Sequence, residues 1–333
     1  PPDPATAPPP VATAAPFANF ADWCVNQASL TPDARHTVGV LLATAETQDC
    51  NQAEAVLTSL TGLDLGQQEI VDVMPLATLP HLTQLSLGGN QIVDVSPLAS
   101  LTNLAALYLS ANQIVDVSPL AHLTQLIELN LSENQIVDVS PLASLTNLTW
   151  LYLANNQIVD VSPLASLTNL SELSLWENHQ IVDISPLANL TNLTELNLFG
   201  IQITDISALA SLTNLSKLWL IDNQIVDVSP LANLTNLTDL GLGDNQIVDI
   251  APLASLTNLT DLGLVFYLIG EVSAFSFFTH LTCFHLENNQ IVDVSPLTSL
   301  TNLNELYLND NPIADIAPLA NLPNLTTFEF DSN

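Results

Sequence analysis

Leucine, isoleucine and valine recur along this chain at fixed offsets that are neither helical nor strictly alternating. Around one turn of the pattern they fall at Leu101, Leu104, Leu107, Leu109, Ile114 and Val117, and the same set returns 22 residues later. The string NQIVDVSPLASLTNL stands unchanged from Asn90, Asn134 and Asn156, with near copies from Asn112, Asn223, Asn245 and Asn289. The first Leu of each L-x-L pair gives the anchors Leu63, Leu85, Leu107, Leu129, Leu151, Leu173, Leu196, Leu218, Leu240, Leu262, Phe284 and Leu306, and Phe328 begins a thirteenth, unfinished unit. One step is 23 residues long, through the extra His179. Two leucines flanking a single variable residue predict a short strand with alternating faces. Ser-Pro in the return limb disfavours a long helix and predicts single turns or short 3₁₀ segments there. No such unit buries its apolar face alone, so units must stack. Twelve at a strand spacing of ~4.8 Å make a coil roughly 55 to 60 Å long, of modest curvature because its outer wall is thin.

The pattern L-x-x-L-x-L-x-x-N-x-I is similar to the leucine-rich repeat, and the block NQIVDVSPLANLTNL resembles the repeat of bacterial internalins and of internalin-like secreted proteins. The resemblance covers Leu63 to Asn333. It implies an α/β solenoid, a horseshoe with short parallel strands on the concave face, 3₁₀ turns on the convex side and an N-terminal helical cap. It also implies a secreted or surface-exposed, non-enzymatic scaffold that binds a partner on its concave face. The departure from the family lies at the C-terminal side, where internalins continue into an immunoglobulin-like cap and this sequence stops.

Ahead of the repeats, residues 1–16 hold seven prolines with Ala and Thr and read as an extended linker. A cleaved signal peptide would explain the missing initiator Met, although an excised fragment would look the same. Residues 17–62 read as the cap and 63–333 as the solenoid. Thr31-Pro32-Asp33 supplies an N-cap, a proline at the first helical position and an acid in the first turn, followed by Ala34, Val38, Leu41, Leu42 and Ala45 at helical spacing. A second helix is expected from Asn51, with Glu54 in a capping box and Val56 and Leu57 covering the first coil. Cys24 and Cys50 bracket the cap helix, and a disulfide between them is the favoured reading over two buried thiols, which points to an oxidising compartment. Cys283 is left over, either a lone thiol or an intermolecular bridge.

Charge narrows the partners. With 34 Asp and Glu against 2 Lys and Arg the formal charge is -32, and the two fixed cations, Arg35 and Lys217, are far apart. Nucleic acid and anionic membrane surfaces need clustered cations and are excluded as partners. No apolar run reaches the ~18 to 20 residues of a membrane helix.

Strand alternation assigns the residues before, between and after each leucine pair to the concave solvent face. Aromatics are 5% of the chain, yet Tyr108, Trp150, Tyr152, Trp176, Phe199 and Trp219 fall in these columns, with Ile221 beside them. They are expected to form one exposed patch, left open by the small residues Ala154, Gly241 and Gly243. Such clusters are enriched in binding hot spots. Glu128, Glu172, Glu195 and Asp239 rim the patch and Lys217 sits inside it. A protein with basic groups or a carbohydrate would fit that surface, since sugar rings stack on indoles and carboxylates accept hydroxyl hydrogen bonds.

Two further ladders recur once per unit. One is Asp72, Asp94, Asp116, Asp138, Asp160 and their successors to Asp315, with Glu271 in place of one Asp. An Asp before V-S-P can accept backbone hydrogen bonds of its own turn, which is the favoured reading. The alternative is that Asp94, Asp116, Asp138 and Asp160 collect cations such as Ca²⁺, which takes oxygen ligands. The other is Asn90, Asn112, Asn134, Asn156, Asn178, Asn223, Asn245, Asn289 and Asn311, expected to bond backbone groups of adjacent coils, with Ile201 and Tyr267 interrupting it. Around Tyr267 the unit is aberrant, and Phe266, Leu268 and Phe277 mark either a repacked coil or an apolar lateral contact. Cys283, His285 and Glu287 alternate on one strand. A metal is not assigned to them, because one strand alone contributes. No Gly-rich phosphate loop occurs and no serine neighbours a His in a catalytic arrangement, so an enzyme is not expected. The sequence therefore reads as a secreted recognition or adhesion scaffold. Its alternative is a structural protein that polymerises head to tail through Phe328 and Phe330.

Overall fold

The computed structural model describes residues 17–265, 269–270 and 272–331. The expected linker at 1–16, and Phe266, Tyr267 and Leu268 of the aberrant unit, lie outside the described residues.

Thirteen three-residue strands, β1 (Gly62–Asp64) to β13 (Thr327–Glu329), form one parallel sheet in sequential order. Every anchor pairs with the next, Leu63 with Leu85 and so on to Leu306 with Phe328. The leucines on either side of the central concave residue are buried, as Leu107, Leu109, Leu151 and Leu153 illustrate, and those of the return limb join them in one continuous core. Between strands the chain runs through a five-residue 3₁₀ turn such as Ser96–Ser100 or Ser140–Ser144, with Pro second in most of them. Proline is tolerated there because the first N–H groups of a helical turn have no internal partner.

Three polar ladders run along the coils, and the two built from Asn tie each coil to its neighbour. Asn156 is representative of the inner one: its Nδ2 donates to the carbonyls of Leu131, Leu153 and Ala154 at 3.0, 3.0 and 3.1 Å, and its Oδ1 accepts from Ile136 N–H at 2.9 Å. A buried amide thus satisfies backbone groups of its own coil and the preceding one. Ile201 has no such oxygen to offer. Its neighbour's Ile181 N–H turns back instead to Asn178 O at 3.0 Å. That closure occurs in the lengthened unit, where the added His179 bonds Gly200 O through Nδ1 at 2.7 Å. The insertion is absorbed in the turn, and the strands on either side keep register, Leu173 against Leu196.

The Asp column is turn chemistry. Asp94 Oδ1 accepts from Ser96 N–H at 2.8 Å and Oδ2 from the Ser96 hydroxyl at 2.9 Å, and Asp138 and Asp160 do the same with Ser140 and Ser162. Asp116 receives Ser118 N–H at 2.8 Å. The third ladder went unnoticed in the sequence: the Asn of L-T-N-L donates to the preceding coil, Asn147 to Thr124 O at 2.9 Å and Asn169 to Thr146 O at 2.8 Å. A left-handed residue precedes each of the nine inner-ladder Asn residues, at Gly89, Ala111, Glu133, Asn155, Glu177, Asp222, Asp244, Asn288 and Asp310, with φ of 54° at Ala111.

The cap consists of α1 (Phe20–Val25), α2 (Pro32–Thr44) and α3 (Cys50–Leu57). Thr31 caps α2 through Ala34 N–H as the sequence indicates, and Val38, Leu41 and Leu42 are buried. The start of α3 differs from expectation. Asp49 is the N-cap, accepting from Asn51 and Gln52 N–H at 3.0 and 2.9 Å, so the helix opens at Cys50. Glu54 is then beyond capping-box reach and instead receives Ala21 N–H at 2.7 Å, bracing α1. Leu57 is fully buried, whereas Val56 lies on the outer face of α3 and is 38% exposed. Cys24 and Cys50 are joined by a disulfide. Thr37 Oγ1 donates to Asp72 O at 2.7 Å, and His81 Nε2 bonds Leu57 O at 3.0 Å, fastening the cap to the first coils.

Candidate functional site

Because side chains alternate along each short strand, the buried leucines force the intervening residues outward onto the concave face. All the aromatic residues singled out by sequence stand there half-buried. Tyr152, Trp176 and Trp219 line a common hollow. On β5 (Trp150–Tyr152) the two rings, two residues apart on one face, pack at 4.8 Å. Trp176, one unit on, and Phe199, two units on, occupy the outermost column and approach to 6.3 Å. Trp219 stands between two hollows. The first, about 270 Å³, is bounded by Tyr152, Glu172, Trp176, Glu195 and Trp219. The second, about 320 Å³, is bounded by Trp219, Ile221, Asp239, Asp261 and His285.

Of the small residues, Gly241 lines the second hollow together with Gly263. Ala154, Gly241 and Gly243 are buried. A Cβ on Gly241 would meet Ile221 Cδ1 at 2.9 Å and Trp219 Cδ1 at 3.3 Å, so these neighbours lean into the space that glycine vacates.

The acids are engaged with the aromatics. Tyr152 Oη donates to Glu172 Oε2 at 2.8 Å, and Tyr108 donates to Glu128. Burial, then the bonded and charged carboxylate, push the Tyr108 hydroxyl up to about 12 and raise Tyr152 further. Lys217 Nζ lies 2.8 Å from Glu195 Oε1 on the neighbouring strand. It is a paired cation, with its pKa raised first by that contact. The face is left strongly acidic.

Further along, β10 (Asp261–Gly263) and β11 (Cys283–His285) set Asp261 beside Cys283 in register. A carboxylate oxygen of Asp261, Cys283 Sγ and a ring nitrogen of His285 all lie within 4.8 Å of one another. Burial first, then Asp261, Glu305 and Glu287, push the Cys283 thiol up to about 12. Asp261 was not among the candidates read from the sequence, although its place directly before Cys283 in the same repeat column was the available signal.

The apolar residues noted for assembly lie elsewhere. Phe277 is 57% exposed on the convex 3₁₀ turn, and Phe328 of β13 stacks at 6.1 Å on Phe330, which directly follows that strand. Phe266 and Leu268 lie outside the described residues. No described helix is long and apolar enough to cross a membrane.

Comparison with known proteins agrees with this architecture. The leucine-rich repeat model in its two-copy form matches residues 80–123, 146–189, 191–233 and 279–321, and a second leucine-rich repeat model matches 102–158. An internalin (inlF) from Listeria monocytogenes is similar at 33% identity and a TM-score of 0.78, over 96% of this chain and 100% of its own. The functional domain of InlJ from Listeria monocytogenes, which includes a cysteine ladder, is similar at 26% identity and a TM-score of 0.72, over 96% of this chain and 72% of its own. A leucine-rich repeat protein of Leptospira interrogans, at 20% identity and a TM-score of 0.56 over 95% of this chain and 99% of its own, shares the fold. No curated protein sequence matches the chain. With repeat models over more than half its length and an internalin matched from end to end, the chain belongs to the internalin-like bacterial leucine-rich repeat family, whose fold is a protein-interaction scaffold.

Proposed function

We propose that this protein is a secreted, non-enzymatic recognition scaffold that holds a protein partner on its concave face, centred on Trp219. The observation that carries the reading is the pair of hollows on either side of that indole, walled by Glu172, Glu195, Asp239 and Asp261. Rigid indole area flanked by carboxylates suits a partner that inserts basic side chains, since cations are drawn both to the acids and to the face of Trp. A carbohydrate borne by that partner would use the same chemistry, stacking on the ring and donating hydroxyls to the carboxylates. The Cys24–Cys50 disulfide supports a location outside the reducing cytoplasm.

The test is an array of Lys- and Arg-rich peptides together with a glycan array, probed with the wild-type protein and with Trp150→Ala and Trp219→Ala. Salt-sensitive binding that drops by more than tenfold in Trp219→Ala, with an unchanged melting transition, is the expected result. Binding retained in both variants, or lost equally in a variant of the convex Phe277, would overturn the concave-face reading.

A further inference from the structure

We propose that Asp261, Cys283 and His285 form a binding site for a divalent transition-metal ion of the zinc class on the concave face. The site shares Asp261 and His285 with the walls of the second hollow, but its argument does not rest on the partner-binding reading. Taken along one strand, Cys283, His285 and Glu287 look like a coincidence of alternation. The register adds Asp261 from the adjacent strand, because Asp261 and Cys283 are Cα partners in the ladder. Two adjacent strands, one anchored by buried Leu262 and Leu264 and the other by buried Phe284 and Leu286, therefore present three different ligand types to one point.

The geometry is close to that of a loaded site. Cys283 Sγ and His285 Nε2 are 3.3 Å apart. Tetrahedral zinc, with a sulfur at ~2.3 Å and a nitrogen at ~2.0 Å, places those atoms about 3.5 Å from each other. The Asp261 oxygen lies within 4.8 Å of the sulfur and of a ring nitrogen of His285, inside the range that a side-chain rotation closes. The imidazole is already oriented: its Nδ1 faces Glu287 Oε1 at 3.4 Å and its ring stacks on Tyr307 at 4.5 Å. With Nδ1–H donated to the carboxylate, the Nε2 lone pair is directed toward the sulfur. A carboxylate behind a histidine is the arrangement that fixes the tautomer of a metal-bound imidazole.

Charge points the same way. Glu287 Oε2 is buried with no hydrogen-bond partner, and Glu305 Oε2 lies 4.0 Å from Cys283 Sγ. Asp261, Glu287 and Glu305 thus crowd one small region with no Lys or Arg nearby among the described residues, and a dication offsets them. Thiol sulfur and imidazole select zinc-like ions over Ca²⁺ or Mg²⁺, which take oxygen ligands. On binding, the Cys283 S–H bond breaks, its proton passes to solvent and the sulfur lone pair forms the bond to the metal. No electron transfer is involved. Three protein ligands leave a fourth position for water, beside the hollow that His285 also lines.

The experiment titrates Co²⁺ and then Zn²⁺ into the metal-free, disulfide-intact protein. One equivalent of Co²⁺ is expected to give a sulfur-to-cobalt charge-transfer band and visible bands of tetrahedral intensity. One equivalent of Zn²⁺ should abolish both, and excess Ca²⁺ should not. Cys283→Ser should lose the charge-transfer band, and Glu287→Gln should keep it while weakening affinity about 10- to 100-fold. Trp219→Ala should bind Co²⁺ like the wild type, which separates failure of this site from failure of the recognition surface. Absence of the charge-transfer band in the folded wild-type protein would overturn the proposal. So would Zn²⁺ affinity unchanged in Cys283→Ser, which would mark diffuse binding to surface acids.

Discussion

Replacing Asn156 with Ala isolates the inner ladder from the leucine core. The side chain is buried: the two Nδ2 hydrogens are shared among three carbonyls, and Oδ1 accepts from Ile136 N–H. Alanine leaves the buried Ile136 N–H without its acceptor, at about 1 to 3 kcal/mol, and removes donors from the Leu131, Leu153 and Ala154 carbonyls, which each keep a second lone pair and lose less. A loss of about 3 kcal/mol follows, with the low end reached if water enters the gap. Urea denaturation followed by far-ultraviolet circular dichroism measures it. The natural control is Ile201, where Ile181 N–H is already bonded to Asn178 O. Restoring the consensus with Ile201→Asn should therefore add no stability, and burying an amide there should lower it. A loss below about 1 kcal/mol for Asn156→Ala, or a clear gain for Ile201→Asn, would refute the account of the ladder as satisfaction of buried backbone groups.

Reducing the Cys24–Cys50 disulfide frees a loop of 26 residues in sequence separation and should destabilise the cap by about 3.5 kcal/mol on the chain-entropy model, read as an earlier first melting transition; an unshifted transition under reductant would contradict it. Ala111, held at a φ of 54°, should gain about 0.5 to 1 kcal/mol on substitution by Gly, because relief of left-handed strain exceeds the added unfolded-state entropy. In acid, Asp183, Asp227 and Asp293 carry depressed pKa values, caused first by the Ser N–H and then by the Ser hydroxyl, so their contribution is present above the ordinary value of 3.8 and is lost as pH falls through the lower folded value. Asp244 and Asp261, raised by burial, run the opposite way and gain on protonation, so the melting temperature should fall late and gradually below that value; a steep fall well above it would contradict the assignment.

Much of the molecule was legible because the repeat states it many times. Leucine spacing determined the strands, the anchors and their order, and Ser-Pro determined that the return limb is short. The capped start of α2 and the disulfide followed from local chemistry at Thr31-Pro32-Asp33 and from two cysteines bracketing one helix. The first residues of α3 were misplaced because Asp49, Asn51 and Glu54 all carry capping chemistry, and only packing of α1 against α3 shows that Glu54 serves Ala21 instead.

What the sequence by itself determined is everything that repeats with the period, including which residues face the concave side. Tertiary structure alone decided how closely the side chains of neighbouring coils meet. Strand register brought Asp261 to Cys283 and His285, set Glu195 against Lys217, and let Ile221 close over Gly241. The physical reason is that a one-chain pattern reports neighbours along a strand, about 7 Å apart on the same face, whereas a parallel sheet places residues one full repeat apart at about 4.8 Å. The contacts that give the concave face its chemistry are of this second kind.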